Sequence, residues 1–123
     1  MVAWHRFSSY FVRMLSLTLQ EKKATDEFKR RVLQKLGESV TRFCLFGSRA
    51  RGEGDEESDV DILVLLKEAP TKLRSLVFEI AADIFLEYEI DISPLVMSDS
   101  HFLDMKKRER LLTSDIERDG IPL

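Results

Sequence analysis

Two aspartates one residue apart, Asp59 and Asp61, open an apolar run, Ile62-Leu63-Val64-Leu65-Leu66. Ten residues separate Asp59 from a Gly47-Ser48 pair, which itself follows the apolar stretch Phe43-Cys44-Leu45-Phe46. The pattern reads as strand, tight glycine turn, polar loop, and a second strand that begins with two carboxylates. Residues two apart on a strand point to one face, so Asp59 and Asp61 are expected side by side. Two carboxylates held together repel unless a hard cation sits between them, and such oxygen donors suit Mg²⁺ or Mn²⁺. A small-residue pair at a strand-to-helix turn beside that site is a place for backbone N–H groups to hold phosphates. Gly47 lets the backbone approach closely, and Ser48 is the candidate donor to terminal phosphates. A third acid, Asp91, lies between Ile90 and Ile92, where an unpaired carboxylate is costly. Glu89 shares its face by period two, but stands nearer the start of that strand and reads as a solvated end residue.

Three rival motifs fail on the letters. Gly47 and Gly52 are spaced as in a P-loop, but Glu53 stands where the phosphate-binding lysine belongs. Gly52 and Gly54 lack the third glycine of a dinucleotide fingerprint. Asp55, Glu57 and Asp59 begin like a calcium loop, yet Val60 and Leu66 occupy the positions that need Gly and Glu. His5 and His101 have no partners at ligand spacing and read as surface residues.

The elements that must position these groups follow from periodicity. Thr25 is a plausible N-cap for a helix carrying Phe28, Val32, Leu33 and Leu36 at helical spacing, with Gly37 as its stop. Lys29, Arg30, Arg31 and Lys35 read as its solvated face. The first strand is predicted over Val40 to Phe46, a helical turn over Ser48 to Gly52, and the second strand over Ser58 to Leu66. Pro70 and Thr71 open a helix with a stripe of Leu73, Leu76, Val77, Ile80, Ile84 and Tyr88, widened by Ala81 and Phe85. The third strand is expected over Glu89 to Val96, with Pro94 marking an edge or an early end to pairing. A final helix is expected from about Ser100 to Asp119, with Leu112 and Ile116 inward and Gly120 closing it, then a short strand over Ile121 to Leu123. The order predicts one α/β domain with a mixed sheet covered by helices.

Composition is that of a soluble globular chain. Of 123 residues, 44% are hydrophobic and 33% charged, and the net charge of −3 argues against dedicated nucleic-acid binding through overall basicity. The one cysteine, Cys44, excludes an internal disulfide, fits a reducing cytoplasm, and reads as a small buried residue. No apolar run reaches the length of a membrane span. Residues 1–22 are set apart as a peripheral N-terminal extension, with 23–123 as the domain. The first 20 residues contain Arg6 and Arg13, several hydroxyls and no acid, with Phe7, Phe11 and Met14 in a helical pattern. That fits a transit segment, a short amphipathic helix, or an extension upstream of a start at Met14.

The run Gly47-Ser48, ten residues, Asp59-Val60-Asp61 resembles the signature of the DNA polymerase β-like nucleotidyltransferase superfamily, and most of all its minimal nucleotidyltransferase (MNT) branch. The resemblance covers roughly Thr25 to the C-terminus. It implies the polymerase β-like palm, with Asp59, Asp61 and Asp91 as catalytic acids and ligands of two Mg²⁺ ions, Mn²⁺ being possible. It implies ATP as nucleotide, held by Gly47, Ser48, Arg49 and Arg51. Of the two arginines, one could counter triphosphate charge or a partner's acid and the other lie at the surface; Arg51, followed by Gly52, fits the family pattern better. The resemblance further implies a helical HEPN-type partner and an antitoxin role, with AMP moved onto a tyrosine of that ribonuclease toxin. Two alternatives remain open: a non-catalytic antitoxin acting by complex formation, and a small-molecule adenylyltransferase of the aminoglycoside type. Apolar residues near the chain ends, Phe7, Phe11, Phe102 and Leu103, are candidates for the docking surface.

Overall fold

The structure, a computed structural model, describes residues 17–52, 59–108 and 111–123. Helix α1 (Leu19–Leu36) passes through a 3₁₀ turn (Gly37–Ser39) into β1 (Val40–Phe46), which ends in a five-residue helix, α2 (Gly47–Arg51). Then come β2 (Val60–Leu66), α3 (Thr71–Tyr88), β3 (Ile92–Ser98), α4 (Asp99–Lys107), α5 (Leu111–Asp119) and β4 (Ile121–Pro122). The strands form one sheet in the order β3-β2-β1-β4. β1 is antiparallel to β2 and β4, while β2 and β3 run parallel. This is the expected α/β domain with a mixed sheet, and Pro94 does lie on an edge strand.

Strand alternation divides the core in two. Phe43, Leu45, Ile62, Val64 and Leu66 face one side, where Phe28 and Val32 of α1 and Val77, Ile80 and Ile84 of α3 cover them. Cys44, Leu63 and Leu65 face the other, against Met97, Phe102 of α4 and Ile116 of α5. Burial pushes the Cys44 thiol up, in keeping with an inert core residue. Asp59 and Asp61 share parity with Leu63 and Leu65, so they belong to this second face, at the strand end beside α2.

Several elements differ from the sequence reading. The first helix begins two turns earlier. Thr18 is its N-cap in a capping box: Thr18 Oγ1 accepts from the Glu21 N–H at 3.0 Å, and Glu21 Oε1 accepts from the Thr18 N–H at 2.8 Å. Thr25 is therefore not a cap but a buried residue in the stripe Glu21, Ala24, Thr25, Phe28, Val32 and Leu36. Residues 19–22, grouped by sequence with the extension, lie inside this helix. Leu33 points outward. Arg31 is tied down rather than simply solvated, pairing with Glu27 of its own helix and Glu87 of α3.

The third strand starts at Ile92 rather than Glu89, because Glu89 caps α3 in the left-handed region (φ 57°), its N–H donating to the Phe85 carbonyl at 2.8 Å. The final helix is two helices. The run from Lys106 to Arg110 is wholly charged and offers no face to bury; α4 ends there with Arg108 as its cap. In α5, Thr113 and Ile116 are buried and Leu112 is exposed. Phe85 is exposed too, whereas Phe102, expected on a docking surface, is buried in the core. Leu103 is half exposed, and Phe7 and Phe11 lie outside the described residues. Among the described residues, no helix is long and apolar enough to cross a membrane.

Candidate active site

The site forms where β1 gives way to α2. Phe46 pairs with Asp61 across the sheet, so the next residue, Gly47, lies against the Asp61 side chain. Gly47 has φ +75°, and a Cβ there would overlap Asp61 Oδ2. Glycine is required twice over at this position, by conformation and by space.

Asp59, just ahead of β2, is exposed, and Asp61 is half-buried. Burial first, then the charge of Asp59, push the Asp61 carboxyl above the ordinary aspartate range, while Arg51 pulls it back. Asp91 lies immediately before β3, and its carbonyl accepts from the Val60 N–H at 3.0 Å. This backbone bond fixes Asp91 beside the start of β2. Its carboxyl is raised as well, by partial burial, then by the charge of Asp59 and a hydrogen bond with it. Asp91 is exposed, so the backbone bond to Val60, rather than burial among apolar neighbours, holds it in place. Asp59 thus interacts with both other acids. Among the described residues, no group of three acids, histidines or cysteines is gathered closely enough to enclose an ion by itself.

The donors here are all carboxylate oxygens, and two of the three are held against their mutual repulsion. That chemistry fits a hard divalent cation. Divalent metal is expected to raise the melting temperature at neutral pH. Carboxyls with raised pKa take up protons earlier than ordinary aspartates as pH falls, so the gain should fade at a higher pH than for an unperturbed pair. A Mn²⁺-dependent shift that persists unchanged through the carboxylate range would contradict this.

The two arginines of α2 part company. Arg49, a candidate for nucleotide binding, is buried and paired with Glu21 of α1. Its Nη1 donates to Glu21 Oε1 at 2.8 Å and its Nη2 to Glu21 Oε2 at 2.5 Å, with the two side chains 1% and 4% exposed. Arg51 is exposed and lies near enough to lower the pKa of Asp61. Ser48, between them and Gly47, is half-buried. Glu21 was not among the predicted site residues, although Thr18-Leu19-Gln20-Glu21 carries a capping-box signal.

Glu89 is exposed and bonded back into α3 through Phe85, whereas Asp91 is bonded to the start of β2 through Val60. Asp91→Asn is therefore expected to reduce transfer by on the order of a hundredfold, with Glu89→Gln near wild type. The two variants are compared in one transfer assay, and a dead Glu89→Gln beside an active Asp91→Asn would reverse the assignment. Asp91 also lines a groove of about 310 Å³ with Phe78, Ala81, Ala82, Phe85, Ile92 and Pro94.

Residues 25–117 match the family model described as Nucleotidyltransferase domain. Over 71 residues the chain is 48% identical to the Methanocaldococcus jannaschii protein named "Putative protein adenylyltransferase MJ0141", covering 57% of this chain and 72% of that one. It is 36% identical over 80 residues to the protein adenylyltransferase MntA of Thermococcus cleftensis, covering 64% and 79%. A crystal structure of a toxin–antitoxin with AMP-PNP shares the fold, with a TM-score of 0.52 at 19% identity over 77% of this chain and 68% of that one. The family match takes in the glycine turn and all three acids, and with that fold and these relatives it identifies the chain as a nucleotidyltransferase of the minimal nucleotidyltransferase family.

Proposed function

We propose that this enzyme moves AMP from ATP onto a tyrosine hydroxyl of a HEPN-type ribonuclease toxin and so acts as its antitoxin. The observation that carries the reading is the meeting of Asp59 with both Asp61 and Asp91 beside the Gly47 turn. The names of the relatives, protein adenylyltransferases, support the choice of AMP and of a protein acceptor. The toxin–antitoxin structure with AMP-PNP supports the pairing and the nucleotide.

In this reading Asp59, Asp61 and Asp91 would hold Mg²⁺. Bound there, the metal neutralises triphosphate charge and favours ionisation of the attacking hydroxyl. Gly47 and Ser48 bind the phosphates through the turn, and Arg51 offsets their charge. The acceptor oxygen forms a bond to the α-phosphorus, the α–β anhydride bond breaks, and pyrophosphate leaves. Asp91, beside the start of β2, is the carboxylate proposed to take the hydroxyl proton.

Co-expression with the toxin tests the antitoxin role. Wild type should protect cells and leave AMP on a toxin tyrosine, whereas the Asp59→Asn, Asp61→Asn double variant should do neither. Protection by the double variant without any modified tyrosine would show that neutralisation works by binding alone.

A further inference from the structure

The Glu21–Arg49 pair is the most deeply buried ionic contact among those described, and the transfer chemistry does not use it. A dry ion pair gains little over apolar residues of the same size, because both charges must be stripped of water. Its place suggests another use. Arg49 belongs to α2, which at five residues is too short to hold its shape alone. α2 leans on β1, β2 and α5. Ala50 of α2 shares a buried cluster with Ala24 and Phe28 of α1, on the face of the sheet opposite α5, and the ion pair gives that helix a directional hold on α2. Glu21 is itself fixed through its capping-box bonds with Thr18. It lies upstream of residues 25–117, which the family model matches.

We infer that Glu21 is a positioning residue for nucleotide binding: by gripping Arg49 with both carboxylate oxygens, it sets the rotation of α2 about its axis. Two residues along a helix are about 200° apart. With Arg49 held toward α1, Arg51 falls on the side of α2 where it can act on Asp61, which itself stands on β2. The inference rests on the proposed role of α2 in holding phosphates.

The test reads AMP-PNP binding with Mg²⁺ and, separately, Mn²⁺ binding without nucleotide, both well below the melting temperature. Glu21→Gln removes the charge, and the volume-conserving double variant Glu21→Met, Arg49→Met removes the pair without leaving a buried charge. Both are expected to bind AMP-PNP about tenfold more weakly with Mn²⁺ affinity unchanged, and Glu21→Asp should fall between them and wild type. A purely structural role would lower the melting temperature and leave the nucleotide Kd alone. Wild-type nucleotide affinity in a folded variant overturns the inference. So does failure of all three variants to fold, since the pair would then be a requirement of the fold. Failure of wild type itself to bind AMP-PNP overturns the phosphate role of α2, and this inference with it.

Discussion

Asp61→Asn is expected to lower AMP transfer by on the order of a hundred- to a thousandfold while raising the melting temperature. Both effects have one cause. The Asp61 carboxylate is held in a half-buried place beside Asp59, and its pKa is raised. A raised folded-state pKa means that ionisation costs stability above the unfolded value, a cost that disappears as pH falls through the folded value. Asparagine removes that cost at neutral pH and, with it, a charge proposed to hold the metal. The stability gain over wild type should therefore shrink on acidification. Thermal melts across the carboxylate range and a transfer assay at neutral pH check the two halves. A variant that is both less stable and fully active would contradict the assignment.

Gly47→Ala is expected to be nearly as damaging to transfer, for a steric reason. The backbone is in the left-handed region, which costs an alanine about 1–3 kcal/mol, and the new methyl would overlap Asp61 Oδ2. The carboxylate is the far end of a side chain and gives way more easily than backbone. The expected result is a folded, modestly destabilised protein whose Asp61 is displaced, with both Mn²⁺ affinity and transfer reduced. Mn²⁺ binding as tight as in wild type would show that the carboxylate has not moved.

The central part of the site is legible in the letters because its signals are local. A glycine after an apolar strand, a polar loop, and two acids at period two fix the turn and the first pair of carboxylates with little help from the rest of the chain. The edge position of Pro94 is legible for the same reason: proline removes a ladder donor. Part of what was misread depends on contacts distant in sequence. Nothing near Arg49 announces that it will be buried, since its partner, Glu21, is 28 residues away. Glu89 ends α3 in a left-handed conformation that glycine or asparagine would advertise and glutamate does not. Thr25 looks like a cap because acids follow it, yet the Thr18–Glu21 box lies upstream and Thr25 faces the core. Phe85 and Phe102 have equal hydrophobicity, and only packing decides which is buried.

The central claim, metal-dependent nucleotidyl transfer at the three aspartates, is tested most directly by the fate of two phosphorus labels. The enzyme is incubated with Mg²⁺ and a HEPN-type acceptor, in parallel reactions with ATP labelled at the α-phosphate or at the γ-phosphate. The account predicts that the α label becomes covalently attached to the acceptor, that the γ label leaves as pyrophosphate, and that chelation of the metal or the Asp59→Asn, Asp61→Asn double variant abolishes both. Attachment of the γ label, or α-label transfer that survives loss of both aspartates, would contradict it.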